Sequence, residues 1–241
     1  MKTASNISLA GGLLLLSLGC TAAAPPYTLA YAQNPPFSMT VTGQPQGIAV
    51  NTMAALFKRA GLPYLFLEVP LARAMVNALS SDRYCVFPVQ RAQAIEANYA
   101  WVSPILFTHS GLYVRQDSML QLITLNDAKQ ITIGVLRGSG DAEYLRDFGY
   151  KIEEANSQEQ NLDKLLARRF DVWATDVLSA NFFMQKSGGK DKAIKEALTF
   201  RATLSSLACN TGMPPEDRIR LQDTLDAMIQ DGTLQKLTSV H

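Results

Sequence analysis

The chain has 241 residues, of which 47% are hydrophobic and 18% are charged. This composition indicates a globular protein with enough apolar material for one large domain or for two lobes of about 100 residues each. The formal net charge is +1, and a balance this even argues against nucleic acid as a partner, because such binding needs a clustered excess of Lys and Arg.

The first 24 residues have the features of an export signal. Lys2 precedes an apolar run over residues 7–18, which is long enough for the core of a signal peptide but short for a membrane span. Two cleavage routes stay open: an Ala-x-Ala site within residues 22–24, or lipidation of Cys20. The lipid route is less favoured because Ser17 stands where a large apolar residue is expected.

Patterns typical of strands and helices alternate after the signal. The apolar residues of 51–60 recur at helical spacing, and the segment stops at Gly61-Leu62-Pro63. We predict strands at 27–32, 64–69 and 84–89, and helices at 51–60 and 73–79. This order of elements predicts a parallel sheet with crossover helices.

A second set of alternating elements begins near Thr124. We predict strands at 131–136, 151–154, 171–175 and 204–209, and helices over 142–148, 159–168 and 216–230. The chain therefore contains two α/β units. Open parallel sheets present strand ends and helix N-termini to a crevice, so two such units favour a ligand between them.

Cys85 and Cys209 remain if Cys20 leaves with the signal. Neither belongs to a C-x-x-C motif, and the chain has only two histidines, His109 and His241, so we predict no metal site. The two cysteines either pair in an oxidising compartment or stay buried as small hydrophobic residues.

Several short segments, in their order and spacing, resemble the family 3 periplasmic solute-binding proteins. They are NPPF (34–37), QGIAV (46–50), VPLARA (69–74), YAWVSP (99–104), GVLRGS (134–139), FDVWATD (170–176) and DGTL (231–234). The resemblance covers nearly the whole mature chain, although no single segment is highly specific.

The resemblance implies a two-lobed α/β fold of the type II periplasmic-binding class, with mostly parallel sheets, flanking helices and two crossing segments. By this analogy the first lobe comprises 25–109 and 204–241, and the second 110–203. It also implies a periplasmic protein that closes on a small polar solute and serves an ABC transporter permease or a membrane sensor. We predict no cofactor and a monomer.

The sequence departs from the family where amino acids are recognised. Amino-acid binders typically carry Thr-x-x-Arg before the YAWVSP position, and that arginine grips the ligand α-carboxylate; here the two positions hold Ala92 and Ile95. The aromatic residue that often stacks on the ligand is Asn34 here, three residues before Phe37. The resemblance therefore implies a ligand other than a standard α-amino acid, or a displaced cation.

Arg91 and Arg73 are the candidate displaced cations. Arg91 follows the third strand, at the first position of an Arg-Thr-Pro-Glu-Arg-Glu run found in part of the family, and Glu96 matches the last position of that run. Arg73 stands in a Pro-x-x-Arg-Ala pattern shared by the same subset. The alternative for both is a salt bridge at the surface or between the lobes.

Three further positions complete the predicted ligand site with Asn34 and Phe37. Arg137 and Ser139 precede a helix, so the free N–H groups and the Ser139 hydroxyl suit an anionic group, although a plain helix cap is the commoner role. Asp176 lies where the family holds a ligand ammonium group, and it also suits a helix cap before 177–183.

Two other functions stay open. A few proteins of this fold are periplasmic dehydratases; Glu68, Glu96 and Asp176 are the carboxylates that such chemistry would use here. A degenerate member that binds a protein partner is the other alternative. We predict a protein that binds its solute without catalysis.

The resemblance also bears on the two cysteines. It implies that Cys85 and Cys209 lie near one another in the first lobe, where a disulfide would tie the C-terminal segment to the sheet.

Overall fold

The computed structural model describes residues 24–186 and 193–238. The predicted signal peptide over residues 1–24, including Cys20, falls outside the described residues except for Ala24. Strands in the described part are β1 (Tyr27–Tyr31), β2 (Met39–Val41), β3 (Gln44–Gln46), β4 (Tyr64–Glu68), β5 (Tyr84–Gln90), β6 (Ala100–Arg115), β7 (Ile133–Leu136), β8 (Ile152–Ala155), β9 (Val172–Asp176) and β10 (Ile194–Cys209). Helices are α1 (Ile48–Ala60), α2 (Leu71–Ser80), α3 (Gly140–Asp147), α4 (Gln158–Leu166), α5 (Val177–Lys186), α6 (Pro215–Gln230) and α7 (Thr233–Thr238).

One curled sheet of eight strands runs through the molecule in the order β4-β1-β5-β10-β6-β9-β7-β8. The outer strands pair in parallel, β1 with β4 and β5 on one side and β7 with β8 and β9 on the other. The central strands β6 and β10 are each 16 residues long and pair antiparallel. They carry the chain between two α/β lobes, which confirms the predicted fold class.

Each lobe has its own apolar core. Tyr27 and Phe57 belong to one cluster of the first lobe, and Val86 to another, whereas Ile133 and Trp173 belong to separate clusters of the second lobe. This division is what two independently packed lobes require. The lobe limits of 25–109 with 204–241, and 110–203, stay a prediction.

The predicted helices and outer strands are present, with ends shifted by one to three residues. The crossing strands were not predicted as elements, except for the end of β10 at 204–209. Pro104 and Gly111 lie inside β6, and such residues ordinarily interrupt a strand. The β2–β3 hairpin and α7 were also missed, since each is too short for a periodic signal.

The fold brings the carboxyl ends of the parallel strands to the cleft between the lobes. Asn34 and Gln90 lie at or just beyond the ends of β1 and β5, and Ser139 and Asp176 lie at or just beyond the ends of β7 and β9. Ligands of open α/β sheets bind at this edge.

Cys85 and Cys209 form a disulfide in the structure. They are directly opposite residues of the antiparallel pair β5 and β10, so the bond ties the returning crossing strand to the first lobe. The two residues are 124 positions apart in the chain. A cross-link that closes so long a loop stabilises mainly by restricting the unfolded chain.

We expect the chain from residue 25 onward to show no free thiol in denaturant before reduction and two after it. The Cys85→Ala/Cys209→Ala variant should lose about 2–5 kcal/mol of unfolding free energy, because its unfolded chain is no longer cross-linked. Thiol titration and denaturant unfolding measure the two quantities. Two reactive thiols in unreduced protein would contradict the disulfide.

Candidate functional site

A cavity of about 50 Å³ lies in the cleft between the lobes. We call it the inner cavity. Its lining residues are Asn34, Phe37, Leu71, Pro88, Val89, Gln90, Thr108, Leu136, Gly138, Ser139, Gly140, Asp141, Gln158, Asp176 and Ser205. This lining contains two carboxylates and no Lys, Arg or His. The electrostatics of the inner cavity are therefore those of an acidic, hydrogen-bonding site.

Asp176 is a buried carboxylate that has no cation as a partner. One carboxylate oxygen, Oδ1, accepts the Leu178 backbone N–H at 2.8 Å and so caps α5, while Oδ2 has no hydrogen-bond partner. Burial raises the pKa of Asp176 to about 6, and the charge of Asp141 adds to that shift. A cation or an O–H or N–H donor placed at Oδ2 would stabilise the ionised form.

The Thr108 hydroxyl is a second buried group without a hydrogen-bond partner in this cavity. It lies close enough to Asp176 to lower that residue's pKa in part, but not in hydrogen-bonding geometry. Buried polar groups are rarely left unpaired, so unpaired groups that line a cavity indicate a place for a ligand or water.

Asp141 is the second buried carboxylate, and it is fully partnered. The Ser110 hydroxyl donates to its Oδ1 and Oδ2 at 2.9 and 3.0 Å, and Arg201 Nε donates to Oδ1 at 3.1 Å. Burial raises the pKa of Asp141, while Arg201 and Ser110 oppose that shift. Arg201 also donates to the Gln90 side chain and lies over the Tyr144 ring, with Cζ 4.9 Å from the centroid.

Side chains of the two lobes meet around the inner cavity, so the structure is a closed arrangement. Asn34 of the first lobe accepts a hydrogen bond at 3.4 Å from the Ser179 hydroxyl of the second. A Cβ added at Gly140 would stand 2.6 Å from the Gln90 Cβ, so the loop before α3 reaches β5 only because residue 140 is glycine. Leu136 likewise packs against the first-lobe cluster that contains Val86.

Ser139 caps α3, because its Oγ accepts the Ala142 backbone N–H at 3.1 Å. Gly138 precedes it with a φ of +72°, and a Cβ there would approach Ala72 of α2 to 3.4 Å. The turn therefore lies directly against the first lobe. Ser139 therefore both caps a helix and lines the inner cavity, and Asp176 does the same.

Four of the seven predicted ligand residues line the inner cavity: Asn34, Phe37, Ser139 and Asp176. Phe37 is 2% exposed and also belongs to the first-lobe core.

The three predicted arginines do not line it. Arg91 pairs with Glu96 and stands over Trp101 at a separate exposed groove, with its Cζ 5.2 Å from the ring centroid. Arg137 is half-exposed beside Glu154, at 3.5 Å. Arg73 is exposed on α2.

Several residues that line the inner cavity were not predicted from the sequence. Gln90 directly follows the predicted strand 84–89, and Asp141 directly precedes the predicted helix 142–148, so their places beside a strand end and a helix start would have marked them. Thr108, together with Arg201 beside the cavity, lies on a part of the crossing strands that was not predicted, and no local sequence signal marks either residue. Ser205 lies within the predicted strand 204–209 but was not singled out as a ligand residue.

Within the part of the chain that the structure describes, no group of three or more His, Cys, Asp or Glu side chains is arranged to hold a metal ion. No helix in that same part is both long and apolar enough to cross a membrane.

The profile of the bacterial extracellular solute-binding proteins, family 3, matches residues 27–240. The chain belongs to this family. No curated protein sequence matches this solute-binding protein.

Solved structures share the fold of this solute-binding protein at low sequence identity. The arginine-, lysine-, histidine-binding protein ArtJ from Geobacillus stearothermophilus has a TM-score of 0.77 at 18% identity, covering 88% of this chain and 93% of that one. A histidine kinase sensor domain reaches 0.79 at 16% identity over 88% and 93%. An ancestral amino acid-binding protein, a precursor of cyclohexadienyl dehydratase, reaches 0.75 at 17% identity over 88% and 92%.

We expect Asp176→Asn to stabilise the ligand-free protein at pH 7.5 by about 2–3 kcal/mol, because the buried charge is removed while the α5 cap is kept. A pKa raised to about 6 means that the wild type loses stability as the pH rises from about 4 to about 6. The variant's advantage should therefore vanish below about pH 4. Denaturant unfolding across this range measures it; Asp163→Asn, on the exposed face of α4, is the control. An advantage that does not change with pH would contradict the raised pKa.

Arg201→Met should cost about 3 kcal/mol of unfolding free energy at pH 7.5, because Asp141 stays buried without its cation. The matched control Arg91→Met removes an exposed pair with Glu96, where we expect a loss below about 1 kcal/mol. Adding Asp141→Asn to Arg201→Met should recover part of the loss. Equal losses in the two single variants would contradict the role of Arg201.

Proposed function

We propose that this protein is an exported solute-binding protein that captures a small cationic or hydroxyl-rich molecule, with no free α-carboxylate, between its lobes. The observation that carries the proposal is the unpartnered Oδ2 of Asp176 in a cavity whose lining includes a second carboxylate and no cation. An ammonium group at Oδ2 would pair with the Asp176 carboxylate, whose desolvation cost the folded protein already bears. A ligand carboxylate would instead meet the unpartnered charge of Asp176, with no cation in the lining to offset it.

Hydrogen-bonding groups around the two carboxylates suit the same ligand class. Thr108 and Ser205 present hydroxyls, and Asn34 and Gln158 present amides. The Gln158 Oε1 already accepts from Trp173 Nε1 at 3.0 Å and from Asn161 Nδ2 at 3.3 Å, so its NH₂ group remains to donate to a hydroxyl oxygen. Ligands are oriented by a few such groups in an otherwise apolar wall.

Arg201 does not restore the family's carboxylate site. Its guanidinium is engaged by Asp141 and Gln90, and a ligand carboxylate would have to replace both. The residues at the usual arginine and threonine positions, Ile95 and Ala92, carry no charge. These contacts support a ligand that differs from the amino acids named for the similar proteins.

Closure around the solute supports a role in delivery or sensing. The closed arrangement joins the lobes through Asn34 and Ser179 and through the turn at Gly138. A solute that binds between the lobes would favour this closed form, and with it the surface that a partner meets. We propose a periplasmic location and, as partner, an ABC transporter permease or a membrane sensor. The likeness to ArtJ and to a kinase sensor domain is compatible with either.

Calorimetric titration of the chain from residue 25 with ethanolamine, glycine and glycolate tests the ligand class. We expect ethanolamine to bind most tightly at pH 7.5, and its affinity to fall as the pH drops below about 6, where Asp176 takes up a proton. Asp176→Asn should weaken ethanolamine binding by roughly 30-fold or more, since a buried charge partner is lost.

Arg91→Ala is the matched control, because its side chain lies at a different groove, and we expect no change in ethanolamine affinity. A preference for glycine or glycolate that Asp176→Asn leaves intact would overturn the proposed ligand class.

Catalysis is a second candidate because Asp176, with a pKa of about 6, is suited to proton transfer near neutral pH. Of the three carboxylates that the sequence suggested for such chemistry, only Asp176 lines the cavity; Glu68 accepts from Gln33 at 3.0 Å, and Glu96 pairs with Arg91. A cyclohexadienyl acid would bring its carboxylates to an acidic cavity. We therefore expect no turnover of prephenate by nuclear magnetic resonance, and turnover that Asp176→Asn abolishes would favour the enzyme.

A further inference from the structure

A second, larger space adjoins the inner cavity at the edge of the cleft. It has a volume of about 390 Å³, and we call it the outer groove. First-lobe residues that line it are Gln33, Pro35, Met39, Thr40 and Val41, and second-lobe residues are Ser157, Glu159, Phe182, Phe183 and Lys186. Both lobes therefore contribute to it, as they do to the inner cavity.

The same two chain segments form the wall between the spaces. In residues 33–35, Gln33 and Pro35 line the outer groove and Asn34 lines the inner cavity. In residues 157–159, Ser157 and Glu159 line the outer groove and Gln158 lines the inner cavity. Alternate residues of one wall thus face two neighbouring spaces, and Asn34 accepts a 3.4 Å hydrogen bond across the cleft from the Ser179 hydroxyl.

The inner cavity is small for a complete ligand. A volume of about 50 Å³ exceeds the roughly 10–15 Å³ that a cavity needs to admit one water molecule, but it is less than twice the roughly 30 Å³ that each molecule occupies in liquid water. An amine of three or four heavy atoms fills that space. A longer molecule bound through Asp176 must extend beyond the inner cavity, and Asn34, which accepts a 3.4 Å hydrogen bond from Ser179, lies between that cavity and the outer groove.

The outer groove suits an apolar group. Pro35, Met39 and Val41 line it from the first lobe, and two phenylalanines line it from the second, with ring centroids 5.4 Å apart. Its charged residues, Glu159 and Lys186, are exposed and pair with each other at 3.5 Å. Mutual pairing leaves them little net attraction for a charged ligand.

We infer that the ligand is an amine with an apolar tail, its ammonium group at Asp176 in the inner cavity and its alkyl or aryl tail in the outer groove. This inference rests on the proposed function, since the head group is the one proposed above. It adds that affinity comes from both spaces together and increases with the length of the tail.

Titration with n-alkylamines from ethylamine to octylamine at pH 7.5 tests the inference on the chain from residue 25. Beyond about four carbons, we expect affinity to rise roughly two- to fourfold for each added methylene, because each is transferred from water to the outer groove. Phe182→Ala and Met39→Ala should flatten this rise. Asp176→Asn should weaken every member of the series alike.

Two controls separate the outcomes. Val76→Ala, at a 63% exposed position on α2 outside both spaces, should change nothing. Hexan-1-ol should bind far more weakly than hexylamine; equal binding would overturn the joint site, because the tail would then bind without the head.

Ethylamine binding with no gain along the series, or a gain that persists in both Phe182→Ala and Met39→Ala, would overturn the inference and leave the proposed function standing. No binding by any amine, with glycine bound instead, would overturn both.

Discussion

The pairing of β6 with β10 is the interaction on which the rest of this molecule depends. It runs from Ala100 opposite Cys209 to Arg115 opposite Ile194, and every other strand of the large sheet lies to one side of it or the other. Because a two-stranded ribbon is all that continues from one lobe to the other within the sheet, each lobe needs its own core, and the buried apolar clusters divide accordingly. The ribbon also forms part of the cleft wall. Side chains alternate between faces along a strand, so Thr108 is buried at the cavity while its neighbour Phe107 is 61% exposed.

The electrostatics of the cleft depend on two buried aspartates, of which one is paired with a cation and the other is not. Asp141 has Ser110 and Arg201 as partners, whereas Asp176 caps α5 through one oxygen, has the Thr108 hydroxyl nearby and has no cation. Burial raises the pKa of both carboxylates. The charge of Asp141 raises the pKa of Asp176 further, whereas Arg201 and Ser110 oppose the rise at Asp141. The free energy stored in the unpartnered Asp176 becomes available when a cation binds. A site of this kind trades some stability of the empty protein for affinity, which is the usual relation at functional sites.

The approach of the lobes gives the cleft two compartments with different chemistry. Glycine at 140 permits contact between the α3 turn and β5, and the hydrogen bond from Ser179 to Asn34 lies between the acidic inner cavity and the outer groove, whose lining includes two phenylalanines. Asn34 and Gln158 line the inner cavity, whereas the residues on either side of each of them line the outer groove. For the amine that we propose as ligand, such a division lets head-group chemistry set specificity while the area of the tail sets much of the affinity.

Local pattern in the sequence determined the helices and the outer strands, since periodic burial and caps depend on near neighbours in the chain. It also marked Ser139, just before a helix, whereas Asn34, Phe37 and Asp176 were predicted from the family resemblance. The family resemblance supplied the two-lobed fold. Only the tertiary structure decided which charges meet in the cleft. Arg201 reaches Asp141 across 60 residues through pairing of the crossing strands, and Arg91 lies at another groove although it follows the end of β5. Contacts of that range are set by strand register and by closure of the lobes, neither of which leaves a signature in neighbouring residues.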